Sequence, residues 1–577
     1  MYTQRMASLQ AVRSGGRTYW RIVESRRVNG KPRPVPVAYL GKANDILARL
    51  QGADSLHVRS LSHGAVAALF SLSQELDVAG IIDRHLAQHG HRRRPWQVKR
   101  GESRVPQKHD GLSVGQSLAL VSVGRAGHAT SKRGFAEWAR TTTLGELASA
   151  PVERLSSQHF WDQMDQLPVE SIAAIEREIV GRAIERFEIP TQTLLYDATN
   201  FFTFIASTNE RVEIAARGHN KQKRHDLRQV GVALLCTRDD GIPLAHHVYG
   251  GQVADAKSFC TAMPLMRQRL VDLQRDLDSL TVVYDKGNVS RANQKLVDGA
   301  GFHYVASLTA SSQRALIAEA NPKLEDVALG DEIVRAFRTV KTIWGAERTV
   351  VVLLSERLRD GQRRGVLQHV ASAHRWLERL SKTLRRGKQK RDRARIERDI
   401  ETRLMGRQHL QKVIRFKLKG AGRKLELAYD FDQAAFEALD RDWLGRLVLV
   451  TDNKDWSTDE IIRAYRGQSD VEAVFAHLKD PVHIALRPQF HWTDQKLHVH
   501  VFTCLLGYLL ARLVHLRAQR AVDYVGSMER LLDTLANVRR ATVLRRSSET
   551  AKLRVTTQLE ETDQESLHLI TALNIAA

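Results

Sequence analysis

Two short, largely apolar runs stand out from the polar background of the chain, Thr193-Leu194-Leu195-Tyr196 and Leu280-Thr281-Val282-Val283-Tyr284. Runs of this length, rich in β-branched and aromatic residues and bounded by turn formers, predict strands buried on both faces. Each stops at a carboxylate. Asp197 is followed by Ala198-Thr199-Asn200, and Asp285 by Lys286-Gly287-Asn288. Between them, Gln229 to Cys236 and Ile242 to Tyr249 flank Asp239-Asp240-Gly241, the pattern of an antiparallel hairpin. A helical stretch over Ala256 to Asp276 precedes the second aspartate, and a short helix from Ser290 and a strand over Phe302 to Leu308 follow it. Three meandering strands, a helix and further strands predict an α/β fold with a mixed sheet, RNase H-like in order.

The flanking pattern divides the chain further. Residues 1–58 read as a leading module, in which Tyr19 to Val23 and Val35 to Tyr39 flank Asn29-Gly30 as a hairpin; Pro32, Pro34 and Pro36 confine the second strand to an edge. Residues 59–188 have helical spacing, as in Ala65 to Phe70 and Leu118 to Val121, with a basic turn-prone segment at His89 to Pro95; a DNA-binding bundle and a plain support domain both fit. The sheet, expected over 189–310, is interrupted over 311–440. There Val351 to Leu354 reads as a strand, and 368–416 as long charged helices with stripes at Leu377, Leu380, Leu384 and Ile396, Ile400, Leu404. Between the stripes lie Arg385, Arg386, Lys388, Lys390, Arg391, Arg393 and Arg395, either a solvated helix face or a strip that tracks phosphates. Strand character returns at Leu447 to Thr451 within 441–520, and a helical, basic tail with Arg539-Arg540 and Arg545-Arg546 closes the chain over 521–577.

Composition narrows the partner. The 577 residues are 43% hydrophobic and 27% charged, enough for several globular units. Lys and Arg number 88 against 65 Asp and Glu, a formal +23, which favours a polyanion such as double-stranded DNA. The three cysteines, Cys236, Cys260 and Cys504, lack CxxC spacing and argue against a disulfide framework or a thiolate metal site. No apolar signal core opens the chain, and the run Val501 to Ala511 is too short to span a bilayer, so a cytoplasmic protein is expected. Val501 to Val514 is expected to be a buried helix covering the sheet.

A third carboxylate completes the candidate chemistry. Ser457-Thr458-Asp459-Glu460 is a capping-box start and Asp480-Pro481 a stop, predicting a helix over 458–480. Val471, Val474, Phe475 and Leu478 form its packing stripe, and Glu472 borders that stripe. Tyr465 lies seven residues before Glu472 and Lys479 seven after, on nearly the same face. The competing reading is that Gly467-Gln468-Ser469 breaks the helix and Ser469-x-x-Glu472 is itself a capping box, which would make Glu472 structural. Asp226 and Asp452 read as structural acids, and His219, His225, His491, His498 and His500 as packing or phosphate contacts rather than zinc ligands. Three oxygen ligands from separate elements suit two Mg²⁺ ions, or Mn²⁺ in their place, at a site of phosphoryl transfer.

These residues carry a resemblance. The chain resembles the DDE transposases of bacterial insertion sequences, in the group marked by Y-x2-R-x3-E-x6-K, the insertion-sequence type four superfamily. Tyr465, Glu472 and Lys479 match that signature, and Tyr196 to Asn200, His225 to Gln229, Asp285 to Asn288, Leu486-Arg487-Pro488 and His491-Trp492 match in order over about residues 190–515. The resemblance implies Asp197, Asp285 and Glu472 as metal-holding catalytic acids. It implies phosphate contacts from Tyr465 and Lys479, to which the neighbouring Lys286, Arg228, Arg466 and Gln468 and the basic residues of 385–391 are added as candidates. It also implies cleavage at the element's ends, attack of the freed 3′-hydroxyl on target DNA, with a hairpin intermediate possible at the flank, and a homodimer assembled on two ends in a bacterial nucleoid. A metal-dependent nuclease without strand joining and an inactive DNA-binding derivative are the alternatives. At the position of the signature arginine this chain has Gln468, and Arg466 lies about 160° away around an ideal helix.

Overall fold

Leu194, Leu195, Tyr196, Val282, Val283 and Tyr284 are each at most 1% exposed, the burial of strands covered on both faces. Around them a computed structural model describes residues 7–28, 31–51, 57–89, 111–220, 222–407, 409–486, 489–546 and 553–576. The turn Asn29-Gly30, the basic residues 90–95 and Arg487-Pro488 lie outside the described residues.

The leading module is a three-stranded meander, not a hairpin. β1 (Ala7–Ser14) pairs with β2 (Arg17–Val28), which pairs with β3 (Lys31–Lys42), and α1 (Ala43–Gln51) follows. β3, with its three prolines, is at the edge, where missing N–H donors cost least. After β4 (His57–Ser62) the chain is helical: α2 (Gly64–Glu75), α3 (Val78–His89), α4 (Val114–Gly127), the short α5 (Phe135–Ala139) and α6 (Leu144–Leu147), α7 (Ser157–Gln166) and α8 (Val169–Phe187).

Among the described residues, nine strands form one mixed sheet. β5 (Thr193–Thr203), β6 (Arg228–Thr237) and β7 (Pro243–Gly250) run as an antiparallel meander. α9 (Asp255–Asp272) then crosses to β8 (Thr281–Tyr284), parallel to β5, and α10 (Arg291–Asp298) to β9 (His303–Leu308), parallel to β8. Asp197 therefore does not end its strand: β5 runs six residues past it, and only the parallel pairing with β8 ends there, at Tyr196 beside Tyr284.

The sheet continues where an interruption was expected. After α11 (Arg314–Ala320), β10 (Glu325–Leu329), β11 (Glu332–Ile343) and β12 (Ala346–Leu354) extend it, and β15 (Arg446–Thr451) joins β12 to β9, in the order β10-β11-β12-β15-β9-β8-β5-β6-β7. The excursion starts only at α12 (Glu356–Arg385) and includes α13 (Arg393–Met405), α14 (Leu410–Val413), the ribbon β13 (Ile414–Lys419) and β14 (Glu426–Phe431), and α15 (Gln433–Asp442). Its apolar stripes close a separate core in which Leu377, Leu384, Ile396, Ile400 and Leu404 are buried. Arg386, Lys388, Lys390 and Arg391 lie in the loop between α12 and α13, whereas Arg385 ends α12 and Arg393 and Arg395 are in the first turn of α13. Thirty residues of α12 span about 45 Å, so this loop is far from the sheet.

α16 (Thr458–Arg466) and α17 (Gln468–Lys479) follow β15, broken at Gly467 rather than continuous over 458–480. α18 (Asp494–Val522) is twice as long as the apolar run implied. It is long and apolar enough to cross a membrane, yet 89% of its most apolar window is buried, chiefly against α4 and the other helices and at β7 of the sheet. The C-terminal part is not wholly helical: between α19 (Met528–Asn537) and α20 (Gln564–Ala572), β16 (Arg539–Arg546) pairs with β4 and β17 (Leu553–Leu559).

Because the excursion has its own core, Ile400→Ala, at a fully buried position, should open it by about 2–5 kcal/mol while leaving the sheet closed. Hydrogen exchange should then rise in 356–444 and stay unchanged in β5 and β8; equal loss of protection in both would refute separate cores.

Candidate active site

The site grows from one register. β5 and β8 pair Thr193 with Thr281 through Tyr196 with Tyr284, so the next positions on both strands are Asp197 and Asp285. Asp285 retains extended backbone (φ −83°, ψ 163°), which keeps its side chain on the Asp197 face. β9 carries the row one strand further, since Ala306 pairs with Tyr284 and Ser307 comes next. Three neighbouring strands thus present Asp197, Asp285 and Ser307 where parallel pairing ends, and both acids are half-buried.

Two hydroxyls fix Asp285. Ser307 Oγ and Tyr465 Oη each donate to its Oδ1 at 2.9 Å, and Ser307 Oγ accepts the Lys286 backbone N–H at 3.1 Å. Burial, and then the negative charge of Asp285, push the Tyr465 phenol well above its ordinary pKa, so it remains a donor. Oδ2 takes part in neither bond. Ser307 escaped the sequence reading; its signal was a hydroxyl after Tyr304-Val305-Ala306, at the place where the other two parallel strands have aspartate.

α17 packs on β5 and brings in the third acid. Val471, Val474, Phe475 and Leu478 are buried beneath it, and Glu472 stands exposed beside that stripe. Its negative charge contributes to raising the Tyr465 pKa, which puts it in the field of the same site. The capping-box alternative is not realised: Gly467 is the N-cap, Ser469 lies inside the helix, and its hydroxyl donates to the Arg466 carbonyl at 3.1 Å. At the other end, Lys479 Nζ donates to Thr199 Oγ1 at 2.6 Å and lies over the rings of Phe201 and Phe475. Thr199 is two residues beyond Asp197 and so shares its face of the sheet.

Gln468 has a structural task. Its Nε2 donates to the carbonyl of Val283 at 2.8 Å and reaches that of Tyr196 at 3.5 Å, tying the start of α17 to both aspartate-bearing strands. Glu472 follows one turn later on the same face. A neutral amide therefore occupies this position, and its donor is spent on main chain.

Other sequence candidates lie elsewhere. Arg466 forms a two-point ion pair with Glu332 on β11 (2.6 and 2.9 Å). Arg228 donates to the carbonyls of Ala206, Asn209, Val212 and Ala215 and so shapes the loop after β5. Lys286 is exposed beside Asp285. Arg385, Arg386, Lys388, Lys390 and Arg391 are at the distant tip of α12. Asp226 pairs with Arg224, and Asp452 caps β9 through the Tyr304 N–H (3.0 Å) and His303 (3.2 Å). His491 and His500 stack at 4.1 Å and both face the buried Lys132 Nζ, at 3.1 and 3.4 Å; His500 also bonds the Leu486 carbonyl.

The donor set suits a hard divalent cation in part. Two carboxylates one strand apart, about 4.8 Å, repel by about 3 kcal/mol at an effective dielectric of 20, and a cation between them removes that cost. Among the described residues, however, no three His, Cys, Asp or Glu side chains are gathered to hold a metal ion, so Glu472 must turn toward the aspartates to act as a third ligand.

No family model matches the chain, and no curated protein matches it. Among solved structures it is similar to a piggyBac transposase synaptic complex with hairpin DNA, determined by cryo-EM, at 8% identity and a TM-score of 0.38, over 81% of this chain and 79% of that one.

Gln468→Ala should lower the unfolding free energy by about 1 kcal/mol in urea titration, the usual worth of such a bond. Gln468→Glu should cost more, because a carboxylate would face two carbonyls; a neutral result for both would remove the tie. Lys132 offers a pH test. Burial, and then the charge of Arg125, lower its pKa from 10.5 to about 7. The unfolded chain therefore binds the extra proton between those values, and stability should rise with pH from about 7 to 10.5. Lys132→Met should stabilise the protein most below pH 7 and progressively less above it, as read by unfolding at several pH values.

Proposed function

We propose that the protein is a DNA transposase of the DDE type, an enzyme that cuts DNA at the ends of a mobile element and joins the freed ends to a target. The observation that carries this reading is the placement of Asp197 and Asp285 at adjacent register positions on parallel strands, with Tyr465 bonded to one and Lys479 held beside the other. The order β7-β6-β5-β8-β9, three antiparallel strands followed by two parallel ones, supports an RNase H-like catalytic domain, and the separate core after α12 supports an insertion into it.

Asp197, Asp285 and Glu472 would hold two Mg²⁺ ions. Such ions supply an activated attacking oxygen and stabilisation of the leaving oxygen in an in-line displacement at phosphorus. The chain's own residues do the rest. Tyr465 and Ser307 fix the Asp285 carboxylate through one oxygen, leaving the other outside those bonds. Lys479, placed by Thr199 and two aromatic rings, presents a point charge to a phosphate near the cut. Gln468 holds the helix that carries Glu472. The formal charge of +23 supports a polyanionic substrate. A homodimer on two DNA ends in the bacterial nucleoid is part of the same proposal and follows from the resemblance alone.

The test uses duplexes carrying the sequences that flank the coding region. Nicking and strand joining should require Mg²⁺ or Mn²⁺ and stop with chelator. Asp197→Asn, Asp285→Asn and Glu472→Gln should each cost at least about 100-fold, since even partners outside a metal's first coordination shell cost 10–100-fold. Wild-type activity in the triple alanine variant would overturn the triad, and nicking without joined products would replace the transposase by a nuclease.

A further inference from the structure

A cleft of about 390 Å³ opens where β9 ends, between the sheet and the excursion that follows α12. It starts beside the site: Lys286 follows Asp285, and Leu308 and Thr309 follow Ser307. Its charged lining is entirely basic, with Lys286, Arg314 and Arg446 from the sheet side, Arg446 opening β15, and Arg407, His409 and Lys412 from the excursion.

The cations differ in what they are free to do. Arg446 is buried and bonded to Asn321 Oδ1 and to the carbonyls of Leu444 and Arg441, so it braces the wall. Lys286, Arg314, Arg407 and Lys412 are exposed, and among the described residues none of them forms an ion pair with an acid. Arg314 and Lys412 lie over the Trp443 ring, at 5.9 and 5.6 Å from its centroid, and all three line this cleft and also a neighbouring cavity whose wall includes Asp442. Burial, and then the charges of Lys412 and Arg314, hold the His409 imidazole below its ordinary pKa, as an uncompensated positive field does. Among the described residues no carboxylate lines the cleft itself, and the nearby Asp442 is paired with Arg441, so the cations that face the cleft repel one another and a bound anion offsets that cost.

We propose that this cleft is a phosphate-binding site, bracketed by Lys286, Arg314, Arg407 and Lys412, that takes a backbone phosphate of the DNA strand lying across the aspartates. It is on the β9 side of Asp285, whereas Lys479 is held on β5, so the two cationic sites flank the acids from opposite sides. The distant loop 386–392 cannot serve this phosphate. The choice of DNA as the phosphate's owner rests on the function proposed above; the phosphate chemistry rests on the cleft alone.

The test is Arg407→Gln with Lys412→Gln in the full chain, with thermal unfolding confirming that the variant folds and Arg407→Lys as the conservative control. Binding to a non-specific 40-base-pair duplex is followed from low to moderate salt. The double variant should bind several-fold more weakly, with a log–log salt slope reduced by about one, and Arg407→Lys, which keeps both charges, should bind like the wild type. Millimolar inorganic phosphate, tested by thermal shift, separates the sources. A reduced slope without a phosphate shift assigns the site to DNA. An unchanged slope with a phosphate shift present in the wild type and lost in the double variant assigns it to a small phosphate-bearing molecule. The absence of both effects overturns the site. Nicking is measured in parallel: absence of metal-dependent nicking in the wild type would defeat the proposed enzyme and leave the salt slope to judge the cleft.

Discussion

The parallel pairing of β5 with β8 is the constraint on which the site depends. Pairing Tyr196 with Tyr284 leaves no freedom in where the next residues fall, so two carboxylates separated by 88 positions in the chain meet one strand apart. A slip of one residue would turn one of them to the opposite face and bury it. The buried tyrosines guard against that slip: Phe259 packs on both Tyr196 and Tyr284 (4.9 and 5.1 Å between ring centres), coupling the helix that crosses between the strands to their register.

What is built over that pair divides the work between neutral and charged groups. Hydroxyls from Tyr465 and Ser307 and the amide of Gln468 hold geometry, each through a bond near 2.8–2.9 Å. Cations are kept to the flanks, Lys479 beside β5 and Lys286 with the excursion's residues beyond β9. Gln468 belongs to the first group. Where an arginine would add charge above the point at which the β5–β8 pairing ends, this chain spends a neutral donor on main-chain carbonyls, and the basic cleft supplies positive charge from a different direction.

The excursion has its own core and a long basic tip, but the part that bears on the site is its base, where α14 and the residues around it face the end of β9. Distance decides this. The tip is at the far end of about 45 Å of helix, so Arg385 to Arg391 stand well away from the helix start beside the sheet, however strongly charged they are.

Local pattern was enough to place the buried strands, the hairpin, the capping box at Ser457 and the stripes of α12, α13 and α17, because each depends on neighbours a few residues apart. The register that sets the acids side by side came from the pairing of β5 with β8. Pattern failed where partners are remote. β10 and β11 are mostly exposed and alternate weakly, so their membership in the main sheet came from pairing with β12. Ser307 and Gln468 are ordinary residues until their carboxylate and carbonyl partners arrive from other strands and helices. The cleft beside Asp285 unites residues 286, 314, 407 and 412, and no spacing in the chain marks them, because long-range packing alone brings their charges together.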